Sequence, residues 1–203
     1  MTALTLDQLR AIMPFAGLRA ESFWQPLNRA MEEFSIDTPA RQAAFLAQVA
    51  HESGSLRYTR EIASGAAYDD RDDLGNTRPE AVQIAAEHDS TPGRWWRGHG
   101  LIQITGFDNH RACSIALYND PDYLLHHPEA LELPAPACRS AAWFWLAHHL
   151  NDHADRGDFL RVTRIINGGT NGLQDRLAFY ERAQKVLRVN DAEDAIEQTR
   201  RLS

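Results

Sequence analysis

The amino-acid sequence predicts a mainly α-helical domain of one or two lobes, with at most a small or vestigial β element. Three observations carry this. Apolar residues recur at the three- and four-residue spacing of an amphipathic helix in one segment after another. Helix-starting residues precede those segments, and Gly, Asn or Pro follow them. Strand-like alternation is confined to Leu101–Ile104, and it is imperfect.

Leu6 to Met13 carries Leu6, Leu9, Ile12 and Met13 at helical spacing behind Thr5, a suitable N-cap, and Pro14 and Gly17 end it. A second helix spans about Glu21 to Phe34, with Phe23, Leu27, Met31 and Phe34 on its core side. These two make an N-terminal helical subunit, residues 1–36. Thr38 caps the third helix, with Pro39 at its first position, where a missing N–H costs nothing. Along it Phe45, Val49 and Glu52 fall at i, i+4 and i+7, so a carboxylate continues an apolar stripe. Ser53, Gly54 and Ser55 stop it, because Gly readily takes the positive φ that ends many helices.

From Ala63 to Gly93 the chain is polar and reads as an exposed lobe or lid holding one helix, Pro79 to Glu87. Its acidic cluster, Asp69, Asp70, Asp72 and Asp73, lacks the Gly and distal Glu of a calcium-binding EF-hand loop and reads as solvated. Next comes TPGRWWRGHGLIQITGFDNH, where Trp95 and Trp96 serve either as core or as platforms for sugar faces. Asp108 to Tyr118 reads as helix and Asp120 to Pro136 as a Pro-bounded connection. Ala137 to Leu150 is apolar on most sides, as a central helix is. His148, His149 and His153 lack the carboxylates or thiolates that would complete a metal site. Asp158 caps a helix ending at Asn167, Gly168 and Gly169. The last major helix runs from Leu173 to Leu187, with Leu173, Leu177, Tyr180 and Leu187 on one face and Arg176 beside it. A short surface helix is expected over the tail to Ser203.

At 203 residues the chain can bury a real core, and its net charge of −7 argues against a chain built to hold nucleic acid or an anionic membrane surface. Cys113 and Cys138 are too few for a disulfide scaffold and lack CxxC spacing, which leaves one bridge open in an oxidising compartment. The N-terminal stretch holds Asp7 inside its apolar run and has no basic segment, so it does not read as a signal peptide. No run approaches the ~18 apolar residues of a membrane span. The expectation is a monomer made in the cytoplasm, without stable membrane insertion, metal or cofactor.

The chemistry is read from Ala47 to Glu61, AQVAHESGSLRYTRE, where Glu52 and Glu61 flank the stop at Gly54. Nine residues of unbroken helix would separate the two by ~13 Å along the axis, so the turn is what lets them face each other as acid and base across a cleft. A carboxyl ending a buried face is partly desolvated, which favours its neutral form. The alternative for Glu52 is a simple pairing with a nearby Arg. His51 reads as a hydrogen-bonded neighbour, since HESGS lacks the second His of HExxH. Gln103, Thr105 and Asn109 offer uncharged donors and acceptors suited to sugar hydroxyls and acetamido groups, or to a water awaiting deprotonation. Asn167 is a helix terminator whose amide can also face the cleft.

With HES, Glu61 nine residues on, GxGLIQITG followed by Asn109, ING at 166–168 and DRLAFY at 175–180, the chain resembles the family 19 glycoside hydrolases over roughly Thr38 to Leu187. Within that family it looks like the compact phage or prophage endolysins. The resemblance implies a lysozyme-like fold of two lobes around a cleft and inverting hydrolysis of β-1,4 bonds between N-acetylated sugars. It implies Glu52 as general acid, Glu61 as base, and Gln103, Thr105, Asn109 and Asn167 as holders of water and sugar. Arg176 then supports the carboxylates, and Tyr68 and Trp96 join the candidates for substrate binding. An inverting pair sits ~6.5 to 9.5 Å apart to admit water. Three positions depart from the family: His99 for its usual Arg, His110 for a common Tyr, and Asn171 where plant members carry Glu.

The organisation that follows is a single catalytic domain, with 37–188 as its core and no separate wall-binding domain. The expected substrate is peptidoglycan, cut between N-acetylmuramic acid and N-acetylglucosamine, with chitin as the alternative. Other classes are a non-catalytic sugar-binding module that kept the fold and a secreted antibacterial effector. Action in the periplasm after release through a holin is the expected route.

Overall fold

Helix boundaries follow the caps. In the computed structural model, which describes residues 3–189, Thr5 and Gln8 close a reciprocal capping box on α1 (Leu6–Ile12). The Thr38 hydroxyl accepts from the Arg41 N–H at 3.2 Å to start α3 (Pro39–Glu52), and Asp158 accepts from Arg161 N–H at 3.0 Å to start α10 (Phe159–Asn167). Between and after these lie α2 (Arg19–Glu33), α4 (Pro79–Glu87), α5 (Pro92–Trp95), α6 (Phe107–Tyr118), α7 (Tyr123–His126), α8 (Pro134–Ala147), α9 (Leu150–Asp155) and α11 (Leu173–Leu187). The expected tail helix, past Val189, lies outside the described residues. The expected strand at 101–104 is a turn instead, closed by mutual hydrogen bonds of His99 and Ile104 at 3.0 and 2.8 Å. The β element is two isolated antiparallel bridges, Arg60 with His99 and His99 with Ile104.

The chain divides into two compact units, 1–57 with 145–203, and 58–144. In the first unit α3 packs along α11, with α9 and α10 also against α3 and α1 against both α2 and α11. Every residue from Gln42 to Ala50 is buried, so α3 is enclosed on all sides. The central helix expected at α8 is less enclosed, with Leu146 45% exposed. The buried face of α11 is Arg176, Phe179, Tyr180 and Ala183, one step round from the face expected. Apolar periodicity misplaced it because an arginine sits at its centre. α3 stops as expected at Gly54, and two non-glycine residues, Ser55 and Leu56, continue at positive φ (58° and 65°), a strained run costing about 1–3 kcal/mol per residue.

The second unit is built on Trp96, Phe107, Ala81, Ile84, Ala85 and Leu125, with Trp95 packed against them. Trp96 is fully buried, edge-on to Phe107 at 5.0 Å, and its Nε1–H donates to the Leu125 carbonyl. That corrects the expectation of a sugar-binding role: no face of this ring is open to a ligand. Trp95 stacks on His88, ring centroids 4.1 Å apart. The polar segment 63–93 is anchored more firmly than a solvated lid. Asn76 is fully buried and donates to Tyr68 O at 2.7 Å while accepting from Phe107 N–H at 2.9 Å. Three of its four clustered aspartates are spent locally: Asp69 accepts from Gly93 N–H, Asp72 from the Thr77 hydroxyl, and Asp73 pairs with Arg71.

Among the described residues no helix is long and apolar enough to cross a membrane, and no three His, Cys, Asp or Glu side chains are grouped to hold a metal. Cys113 and Cys138 are buried free thiols, and desolvation pushes the former up to about 12.

Candidate active site

The first unit presents Glu52 at the end of α3, its side chain 20% exposed. Arg176, whose side chain is 1% exposed, donates from Nη2 to Glu52 Oε1 at 2.5 Å. Its Nη1 donates to Gln48 Oε1 and its Nε to the Asn171 carbonyl at 3.2 Å. Gln48 lies one turn before Glu52 on the same helix and passes its own amide N–H to Thr163 Oγ1 at 2.8 Å. Asn167 accepts from the Asn171 N–H at 3.2 Å, so Asn167, Asn171, Arg176 and Glu52 form one chain of contacts. Glu52 Oε2 has no hydrogen-bond partner among the described residues. One position earlier on each helix, His51 and Asp175 pair at 2.6 Å, doubling the clamp between α3 and α11. The Arg pairing left open as an alternative for Glu52 is therefore what the fold makes.

The second unit presents Glu61. Both of its oxygens accept: Oε1 from the Tyr68 hydroxyl at 3.0 Å and Oε2 from the Gly98 N–H at 3.1 Å. Burial and that bond to a carboxylate raise the Tyr68 phenol above its ordinary value near 10. The Glu61 N–H donates to Gly98 O at 2.8 Å, and Gly100 N–H to Thr59 O at 2.8 Å, so the hairpin at 98–104 fixes Glu61 through backbone and side chain together. Gln103 Nε2 donates to Gly100 O at 2.8 Å while its Oε1 is buried and accepts from no donor. A Cβ built on Gly98 would meet that oxygen at 2.3 Å, so Gly is required for Gln103 to lie beside the backbone that holds Glu61. Thr105 donates weakly to Gln103 O at 3.4 Å, and Asn109 Nδ2 donates to Thr105 O at 2.8 Å.

Beneath this hairpin lies a buried histidine pair. His110 Nδ1 faces the Gly106 carbonyl at 2.8 Å and must carry the hydrogen, which leaves its Nε2 an acceptor. His99 Nδ1, 3.2 Å away, is then the donor, and His99 Nε2 is bare. Desolvation is the first cause that lowers both, His99 to about 2 and His110 to about 4, so the pair is neutral. The nearest acid is Glu132, its buried Oε1 without a hydrogen-bond donor, 3.7 Å from His99 Nε2 and 3.6 Å from Arg60 Nη1. The two histidines that depart from the family pattern thus touch each other.

Of the sequence candidates, Glu52, Asn167 and Arg176 join in one network, and Glu61, Tyr68, Gln103, Thr105 and Asn109 in another. Trp96 belongs to neither. Gln48, Asp175 and Asn76 were missed. Gln48 had a signal, being a polar residue inside the apolar run LAQVA one turn from Glu52.

A helical framework with two separately supported carboxylates and neutral donors beside one of them is an arrangement of the kind glycoside hydrolases use. No protein-family model matches the chain. A glycosyl hydrolase family 19 domain-containing protein of Haemophilus influenzae is 28% identical over 190 residues, 83% of this chain and 88% of that protein. An Arabidopsis thaliana endochitinase is 34% identical over 148 residues, 68% of this chain but 44% of its own length. The chain thus spans about half the length of the plant endochitinases it matches. In structure it superposes on a bacterial family 19 chitinase with TM-score 0.70 at 23% identity, covering 92% of this chain and 95% of that one. Chitinase C of Streptomyces griseus gives 0.69 at 24% identity, with 91% and 76% covered. The chain is chitinase-like, similar to glycosyl hydrolase family 19 proteins in sequence and in fold.

Proposed function

We propose that the chain hydrolyses β-1,4 bonds of N-acetylated glycans with inversion, and that its polymer is peptidoglycan, cut between N-acetylmuramic acid and N-acetylglucosamine in the manner of an endolysin. The contrast between the two carboxylates carries the reading. Glu52 has Oε1 held by Arg176 and Oε2 unengaged, which leaves one oxygen to deliver a proton to the glycosidic oxygen. Glu61 accepts from two neutral donors, as an ionised carboxylate does, and is the group to take a proton from water. Gln103 Oε1, a buried acceptor without a donor, suits that water or a sugar hydroxyl. The sugar leaves with its anomeric configuration inverted because water attacks the face opposite the departing oxygen.

Glu52→Gln and Glu61→Gln should each cost about 10²–10⁴ in kcat with the fold intact by circular dichroism. Sugar binding without turnover in the wild type, unchanged in Glu52→Gln, would instead leave a sugar-binding module. Proton NMR of the first product should show the α anomer, and a β product would exclude inversion. Chitin is the second reading, favoured by the endochitinase names of the relatives. Reducing ends released from sacculi and not from chitin support the first, and the opposite result supports the second. The proposed route to the wall is a holin-type membrane lesion, for which lysis of cells expressing the chain should require a co-expressed holin.

A further inference from the structure

A cavity of about 360 Å³ opens on α2, far in sequence from either carboxylate, lined among others by Leu4, Trp24, Gln25, Asn28, Arg29 and Glu32. Its volume falls within the ~300–1,000 Å³ of ligand sites. The floor is fixed. Trp24 Nε1–H donates to Leu4 O at 2.6 Å, and buried Asn28 donates to Leu4 O and Trp24 O while accepting from Leu4 N–H at 2.8 Å. With its N–H spent and its ring half-buried, what Trp24 offers the cavity is apolar ring surface.

The rim is uncommitted. Gln25, Arg29 and Glu32 fall at i, i+4 and i+7 on one side of α2, all exposed, and none has a hydrogen bond or ion pair among the described residues. Arg29 and Glu32, three apart on a helix and of opposite charge, do not pair with each other. The set is therefore an immobile aromatic surface beside a free amide, a free guanidinium and a free carboxylate. A sugar face stacks on an indole, an amide exchanges hydrogen bonds with an acetamido group, and a guanidinium takes a carboxylate through two parallel bonds. A neutral glycan would leave Arg29 unused.

We propose that this cavity is a second glycan-binding site, for an N-acetylated saccharide that carries a carboxylate, and that it holds the chain on its polymer independently of hydrolysis. The proposal extends the hydrolytic reading, and binding is measured without turnover so that either can fail alone. Full-length Glu52→Gln is sedimented with purified peptidoglycan sacculi and, separately, with colloidal chitin. The expected result is binding to sacculi that weakens at least tenfold when Arg29→Glu is added and severalfold with Gln25→Ala, while Arg29→Lys keeps most of it. All three substitutions are at exposed positions, and the melting temperatures of the variants should match the parent. Soluble disaccharide-peptide should quench tryptophan fluorescence in the parent and not in Trp24→Phe carrying Arg29→Glu. Sacculus binding unchanged within twofold by Arg29→Glu, or no binding by Glu52→Gln to sacculi at all, overturns the site. Equal loss of chitin and sacculus binding would overturn the role given to the carboxylate. Hydrolysis by the wild type is assayed apart from all of these.

Discussion

Arg176 decides the chemistry of the first unit because it is buried and serves three acceptors at once. Its guanidinium geometry matches that task, whereas a lysine ammonium in the same place reaches fewer of them along one stem. Removing it leaves Gln48 and Glu52 without their donor in a buried setting, which costs about 3–5 kcal/mol. Arg176→Ala should therefore lower the unfolding free energy measured by urea titration by that amount and abolish turnover. Arg176→Lys should recover most of the stability and little of the activity. Equal recovery of both would mean that charge alone matters. A second residue-scale expectation concerns acid. His110 titrates near 6.5 when unfolded and about 4 when folded, so between those values only the unfolded chain gains the proton. Stability is full above pH 6.5 and falls as pH drops towards 4, by on the order of 3 kcal/mol from this group. His99, facing His110, Arg97, Arg60 and Glu132, acts in the same direction over a window reaching to about 2. His110→Phe should be less stable than wild type at pH 7.5, yet lose less between pH 6.5 and 4.5. Parallel urea-midpoint profiles for the two proteins would exclude this assignment.

At the scale of elements, what the sequence showed and what it hid divide by the range of the interaction. Thr38 with Pro39, Asp158 and the glycine after Asn167 are local signals, and α3 and α10 begin or end where those signals stand. The apolar stripe of α3 likewise brought Glu52 to the rim of a buried face. Three things depended on partners that no local pattern reveals. Arg176 was set beside the face of α11 because periodicity counts it as polar, although Gln48 and Glu52 satisfy it inside. Trp96 was left between core and platform because indoles do both, and only the packing of Phe107 and Leu125 decides. Glu61 was known as a carboxylate in a polar segment, while the Gly98 N–H that holds it comes from a hairpin 37 residues on. That hairpin supplies its own test. A methyl on Gly98 would sit 2.3 Å from Gln103 Oε1 and 2.9 Å from Gln103 Cβ, so Gln103 must swing out. Gly98→Ala should lose activity by tenfold or more with the helical fold retained by circular dichroism, and, Gly98 being buried, should also lower stability by about 1–3 kcal/mol. Unaltered turnover would show that Gln103 is not needed in its observed place.

At the scale of the whole molecule the relevant quantity is charge. The sequence carries 28 acidic against 21 basic residues, a formal net charge of −7. Two candidate polymers differ in the same property: chitin is neutral, while peptidoglycan bears the carboxylates of its peptide stems. An acidic protein approaching an anionic polymer is repelled over the Debye length, which shrinks from ~30 Å at 0.01 M salt to ~10 Å at 0.1 M. Local features such as Arg29 act only after that approach. If peptidoglycan is the polymer, kcat/KM on sacculi should rise severalfold from 0.01 to 0.15 M NaCl, through association, with kcat on a short soluble fragment unchanged. On chitin the same salt series should be flat. Activity on sacculi that falls with salt would mean that a basic surface dominates the encounter despite the net charge. A flat response on sacculi would mean that the protein's acidic groups face away from the strand it binds, and the preference between polymers would then rest on short-range contacts alone.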